Sequence, residues 1–311
     1  MSVEFKEVFA NCGFTRQTPT GGPGIIVPQD GATFFVLEGG KDLKVGPAAN
    51  APLRVDEIKD DQRRHEAVTN APFPTNPKER ASVLALLKRG DSRLFKITAG
   101  KRLGYGLKIE ALNPPAKRPE AALKVIILKQ RPVTIAIRPV RVLDDKGAPV
   151  NSSLQKDFNA KALLDQMNSI WTPQANVVFA LGKTDPVTLK NLGPGQPADI
   201  TNVDLKSELI QNKDGGSALT FFMVKRAVNK DSKDLGVINS EAGISLISDD
   251  RSDSTMAHEA GHFLGSLSES GKFSKRYGHQ GTDASLLMRE GGAGYKIPYD
   301  IVTDFNKGYT N

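Results

Sequence analysis

The run MAHEAGHFLGSL, residues 256–267, constrains the fold of this chain more than any other feature, because it holds two histidines four residues apart. Residues at this spacing share one face of an α-helix, so a helix would point His258 and His262 the same way. The apolar run GISLISDD comes directly before it and predicts a strand. The sequence therefore predicts a strand followed by a helix that presents two imidazoles on one face.

Polar and small residues on either side of this run predict where the helix begins and ends. Ser252, Asp253 and Ser254 precede it, and each carries an oxygen that can accept from the exposed amides of a first helical turn. Gly265 is expected to end the helix, because glycine enters the left-handed region at little cost.

Two imidazoles one helical turn apart can bind the same zinc ion, with metal–nitrogen distances of about 2.0–2.1 Å. Glu259 lies beside His258 but is rotated off the histidine face, so its carboxylate can address a metal-bound water rather than the metal. The alternative is that these are ordinary histidines on a helix. The HExxH spacing after a predicted strand favours a Zn²⁺ site with Glu259 as the general base.

The run HEAGHFLG resembles the first part of the metzincin zinc-peptidase motif, HExxHxxGxxH or HExxHxxGxxD, and ASLLM resembles the Met-turn of that clan. The resemblance extends over roughly the last 180 residues, in a chain of 311. It implies a peptidase domain with Met288 beneath the zinc and Gly265 at the turn of the chain.

The position three residues after Gly265, where the family has its third zinc ligand, holds Ser268, and serine is a poor zinc ligand. His279 is the predicted third ligand, because imidazole suits zinc and this residue lies shortly before Met288. The run SLSESGKFSKRYG, residues 266–278, would then form an enlarged loop between Gly265 and this ligand. The alternatives are Asp283, Glu269, Glu290, Ser268 acting through water, or no third protein ligand.

The distribution of apolar runs and turn residues along the chain predicts an α+β protein with two domains and an N-terminal lead-in. Residues 1–30, with TPTGGPGIIVP, are expected to be an irregular lead-in. Residues 31–130 read as a β-rich accessory domain, sandwich-like in the manner of immunoglobulin-type modules, with one short helix at ERASVLALLK. Residues 131–311 are expected to form the metallopeptidase domain, with the proline-rich run NPPAKRPE as the rival boundary.

Within residues 131–311, alternating and apolar runs predict the order of elements. VTIAIRPV, ANVVFALG, SALTFFMVKRAV and GISLISDD read as strands, and SLQKDFNAKALLDQMNSIW reads as an amphipathic helix ended by Pro173. LGVINSEAG is shorter and more polar, which favours a sheet edge. An extended substrate could pair with such an edge next to the cleft.

Composition excludes several classes of function. The net charge of +7 is not concentrated in basic runs with interleaved aromatics, so no nucleic-acid groove is predicted. No apolar run is long enough for a membrane span, and no Sec signal peptide is visible. Cys12 is the only cysteine, which leaves no intramolecular disulfide. It is expected to be an inert thiol, with a latency role in a pro-segment as the alternative.

The predicted function is that of a zinc-dependent endopeptidase acting on a protein or peptide. The expected location is outside the producing cell, reached by a non-Sec route as a bacterial effector or toxin, with a cytoplasmic location as the alternative. The accessory domain would then contact the export or delivery machinery. The rival functions are a hydrolase of cell-wall peptides and a non-catalytic binding protein with a degenerate zinc site, which Ser268 favours.

Overall fold

A computed structural model describes residues 2–8, 13–15, 18, 21–70, 77–102, 104–114, 118–152, 158–229, 232–266, 286–288, 294–297 and 302. The chain divides into two units. The first unit comprises Met1–Arg131, Ser169–Asn176 and Tyr295–Asn311, and the second comprises Pro132–Asn168 and Val177–Gly294. The mixture of helices and several sheets confirms the α+β class.

Among the described residues, the first unit contains nine strands in two sheets and two helices. The strands are β1 (Glu4–Glu7), β2 (Phe14–Thr15), β3 (Gly24–Pro28), β4 (Ala32–Glu38), β5 (Lys44–Pro47), β6 (Leu53–Ile58), β7 (Ser92–Ala99), β8 (Gly104–Leu112) and β9 (Pro119–Leu128). The helices are α1 (Asp61–Thr69) and α2 (Pro77–Leu87). One sheet has the order β1-β4-β7-β6 and the other β2-β3-β9-β8-β5.

Alternating apolar side chains from both sheets fill one core. Phe35 and Phe95 stack at its centre with ring centroids 5.1 Å apart, and Ile25 and Val125 come from the other sheet. The β3–β9 pair is parallel, and helices α1 and α2 pack with the strands. These features depart from the two antiparallel sheets of an immunoglobulin-like module.

The expected irregular lead-in, residues 1–30, instead contributes strands β1, β2 and β3. All five residues of β3 are buried, and β1 pairs antiparallel with β4. The glycines and prolines around GIIVP indicated a loop, but the short apolar run between them pairs with β9 and packs in the core. Burial of apolar area outweighs the local turn preference of the flanking residues.

Among the described residues, the second unit contains ten strands and three helices, although the last residues of α3, from Ser169 on, group with the first unit. The strands are β10 (Arg131–Leu143), β11 (Pro149–Asn151), β12 (Val177–Leu181), β13 (Val187–Leu189), β14 (Ala198–Asp199), β15 (Leu219–Val224), β16 (Ala227–Asn229), β17 (Ser232–Asp234), β18 (Gly236–Asn239) and β19 (Ile244–Ser248). The helices are α3 (Ala160–Ala175), α4 (Val203–Gln211) and α5 (Thr255–Ser266).

The main sheet of this unit has the order β11-β10-β15-β19-β18, with β12 and β13 also paired to β10. Strands β10, β15 and β19 are parallel, and β18 pairs antiparallel with β19 at one edge. The predicted edge position of LGVINSEAG is therefore confirmed. Every residue of β15 and β19 is buried, as expected for central parallel strands.

Helix α3 begins after Asn159, whose side-chain oxygen accepts from Ala162 N at 2.9 Å. Pro173 does not stop it, because the helix continues to Ala175. A proline so close to the end removes a single helical donor. Near the helix end, Gln174 Nε2 donates to Ile170 O at 2.8 Å.

The expected domain of residues 131–311 differs from the second unit in two segments. Ser169–Asn176 and Tyr295–Asn311 group with the first unit. Gln174 explains part of this grouping, since its Nε2 donates to Tyr295 O and its Oε1 accepts from Ile297 N, both at 2.8 Å. Such backbone contacts leave no pattern in the sequence. Among the described residues, no helix has the length and apolar character needed to cross a membrane.

Asp214 anchors the loop that leads into β15. Its carboxylate accepts from Ser217 Oγ at 2.6 Å and from the N–H groups of Gly216 and Lys183 at 3.3 and 3.4 Å. The hydrogen bond from Ser217 is the main reason that the pKa of Asp214 is lowered, and the two backbone donors add to it against the opposing effect of burial. The charged carboxylate therefore holds the start of a central strand.

Replacing Asp214 by Asn should lower the free energy of unfolding at pH 7 by on the order of 1 kcal/mol. The folded pKa lies below the unfolded value of about 3.9, so this contribution is present above that value and is lost as the pH falls through the folded pKa. Denaturant unfolding at pH 7 and pH 3 measures it. The exposed Asp165→Asn is the control and should change little at either pH. An equal loss from Asp214→Asn at both pH values would contradict the assignment.

Candidate metal centre

The helix that bears the two histidines follows directly from the buried strand β19. It begins at Thr255, immediately after Ser254, whose carbonyl accepts from His258 N at 2.8 Å. Ser252 lies against the first turn, with its hydroxyl 3.0 Å from Thr255 Oγ1. Helix α5 packs against β15, β18 and β19, and ten of its twelve residues are buried. Most of helix α5 therefore lies in the interior of the second unit.

His258 and His262 converge as the four-residue spacing predicts. Their Nε2 atoms are 3.1 Å apart, and their rings meet edge to face with centroids separated by 4.8 Å. His258 is 6% exposed, whereas His262 is half-buried. His258 therefore lies in the interior, whereas part of the His262 side chain is exposed to solvent.

The backbone of Leu287 fixes the orientation of His258. His258 Nδ1 lies 2.6 Å from Leu287 O, and because a carbonyl oxygen only accepts, Nδ1 is the protonated nitrogen. In the neutral ring, Nε2 then keeps its lone pair and directs it toward His262. Metal-binding histidines usually donate their other ring N–H to a carbonyl or carboxylate in this way.

Met288, the residue that the family resemblance places beneath the zinc, follows Leu287 directly. It is fully buried, as is Leu287. Of the segment ASLLM, the structure describes Leu286, Leu287 and Met288, and Leu287 O contacts the His258 ring of α5. Sequence reasoning singled out Met288 but missed Leu287, because its contribution is a backbone oxygen that no residue type encodes.

Glu259 is buried against the edge strand β18. Its side chain is 5% exposed, and Gly236 lies so close that a Cβ added there would be 2.8 Å from Glu259 Oε1. The same Cβ would also be 2.8 Å from Thr255 Cγ2. Glycine at position 236 therefore allows the carboxylate to pack directly on the strand. The sequence alone gave no sign of this requirement.

The geometry of the histidine pair fits a tetrahedral metal ion. Two nitrogens that both bind zinc at about 2.0–2.1 Å are separated by about 3.3 Å at a tetrahedral angle. The observed Nε2–Nε2 distance of 3.1 Å is close to this value. Because Leu287 O sets a His258 tautomer with an unprotonated Nε2, His258 and His262 can supply two of the ligands.

The third ligand of the predicted site lies beyond the part of the chain that the structure describes. His279 and its alternatives, Asp283, Glu269, Glu290 and Ser268, all fall in the undescribed ranges, as does Cys12. Among the described residues, no group of three or more His, Cys, Asp or Glu side chains is placed to bind a metal. Gly265 lies within α5, which ends one residue later at Ser266.

Comparison with known proteins adds no assignment, since no protein-family model and no curated protein matches this chain.

Replacing Gly236 by Ala should destabilise the second unit by about 1–3 kcal/mol, because the new methyl group collides with Glu259 and Thr255. Urea unfolding measures this loss. Gly215→Ala is the matched control in the same unit, because an added Cβ there meets no atom within 4 Å. Removing the Glu259 side chain as well should recover part of the loss. Equal, small effects of the two glycine substitutions would show that Gly236 is not packed on Glu259.

Proposed function

We propose that this chain is a zinc-dependent endopeptidase of metzincin-like architecture. The observation that carries the proposal is the convergence of His258 and His262 Nε2, with His258 Nδ1 held by Leu287 O and the carboxylate of Glu259 on the next residue. His279 is the proposed third ligand. The second unit begins with strands and helix α3 and ends with the site helix, as the resemblance implies, but helix α4 interrupts the strands between them.

The proposed chemistry divides between the metal and Glu259. Zinc, when bound, lowers the pKa of a coordinated water and polarises a peptide carbonyl. Glu259 takes a proton from the attacking water and then gives it to the leaving amine. Leu287 O keeps His258 in the tautomer that leaves Nε2 available.

The edge strand β18 offers a place for an extended substrate next to Glu259. Ser248 N donates to Leu235 O at 2.9 Å, which fixes the register of the β18–β19 pair. In an antiparallel ladder, alternate residues face the partner strand, so Gly236 and Ile238 direct their N–H and C=O groups away from β19. A peptide paired there would run beside the buried carboxylate, which supports an endopeptidase acting on extended chains.

The first unit remains proposed as an accessory module that acts in export, delivery or substrate binding. Its two sheets share one core with α1 and α2, and no residue of the proposed metal site belongs to it. A role outside the producing cell, as an effector or toxin, is part of the same proposal. The +7 net charge would assist contact with anionic surfaces.

Glu259→Gln should retain zinc and lose hydrolysis, because the amide keeps the shape of the side chain but cannot take a proton. His262→Ala should lose both zinc and hydrolysis. His65→Ala is the control, since His65 is an exposed residue of α1. Metal analysis and cleavage of casein and of purified peptidoglycan measure the two properties and separate protein from cell-wall substrates. Unchanged cleavage by Glu259→Gln would exclude it as the base.

His279→Ala should lower zinc content at least tenfold, whereas Asp283→Ala should leave it near the wild-type value. The reason is that a neutral imidazole is a stronger zinc ligand than the alternatives at this point of the sequence. Equilibrium dialysis against a zinc buffer measures both variants. The opposite ranking would assign Asp283, and full zinc content in both would remove each of them from the site.

A further inference from the structure

A basic cavity of about 480 Å³ opens on the first unit, and no residue of the proposed metal site lines it. It is bordered by the chain that leads into β5, the end of β6, helix α1, the end of α2 and the start of β7. Its lining includes five cationic side chains and only two acidic ones, which gives it a net charge of +3. The cations are Lys41, Lys44, Lys59, Arg64 and Arg93.

Arg93 and Glu57 form a rigid wall of this cavity. Arg93 Nε and Nη2 donate to the two carboxylate oxygens of Glu57 at 3.0 and 2.7 Å. These bonds lower the pKa of Glu57, so its carboxylate is charged at neutral pH and is committed to Arg93. Arg93 Nη1 also donates to Gly40 O and Leu43 O, which fixes the loop that carries Lys41.

The other cationic side chains of the cavity form fewer hydrogen bonds and ion pairs than Arg93. Arg64 donates to Ile58 O at 2.7 Å and lies 3.2 Å from Asp61 Oδ1. Lys41, Lys44 and Lys59 are exposed, and within the described part of the chain none of their ammonium groups forms an ion pair. Three ammonium groups therefore line a cavity in which one of the two acidic residues, Glu57, is already paired with Arg93.

We propose that this cavity binds a small anion carrying two phosphate groups. Its volume lies in the range of small-molecule sites, about 300–1,000 Å³. Lysine ammonium groups act on phosphate as point charges and do not require the planar match that arginine gives to a carboxylate. Three uncommitted lysines around one opening fit two separate phosphates better than a single carboxylate. This inference does not depend on the peptidase proposal.

Isothermal titration of the full chain with fructose 1,6-bisphosphate at low ionic strength tests the proposal. We expect saturable one-to-one binding that weakens in 0.5 M salt, and no binding of unphosphorylated fructose. The variant Lys41→Gln, Lys44→Gln, Lys59→Gln should bind at least tenfold more weakly, because three attractive charges are removed. Single Lys59→Gln should also bind more weakly, and thermal unfolding should show that both variants fold.

The matched control is Lys101→Gln, Lys108→Gln, Lys129→Gln, which removes the same charge from exposed positions that do not line the cavity. It should bind the bisphosphate within twofold of the wild type. Absence of saturable binding by the wild-type chain would overturn the proposal. Equal weakening in the two triple variants would also overturn it, because binding would then follow net charge alone.

Discussion

The hydrogen bond from His258 Nδ1 to Leu287 O is the interaction on which the site depends. It joins helix α5 to a segment far along the chain, and it sets both the direction and the tautomer of the first imidazole. Without it the His258 ring could rotate, and its Nε2 would no longer point steadily at His262. A backbone carbonyl is a durable partner for this purpose, since substitution of the Leu287 side chain does not remove it.

Helix α5 buries two polar side chains, His258 and Glu259, among apolar residues. Buried polar groups reduce stability unless they are hydrogen-bonded or paired. His258 has Leu287 O and His262 as neighbours, and Glu259 packs on the backbone at Gly236. A core optimised for stability would place apolar residues at both positions, so their presence supports a chemical role.

Residues with strong local signals were predictable from the sequence. The apolar runs of β15 and β19, the short polar edge β18 and the four-residue histidine spacing of α5 all follow from periodicity. Long-range backbone contacts were not predictable. Gly236 gives no sign of packing on Glu259, and Leu287 gives no sign of orienting His258. The GIIVP strand was missed because glycine and proline flank it. The end of helix α3 was predicted too early, at Pro173, because a proline so close to the end of a helix removes only one hydrogen-bond donor.

X-ray absorption spectroscopy of the zinc-loaded chain tests the central claim most directly. We expect nitrogen or oxygen neighbours at about 2.0–2.1 Å from zinc, with the outer-shell scattering of at least two imidazole rings. The double variant His258→Ala, His262→Ala should lose that imidazole signal together with the metal. A bound zinc without imidazole scattering, or a double variant that retains the wild-type spectrum, would contradict a metal site built on α5.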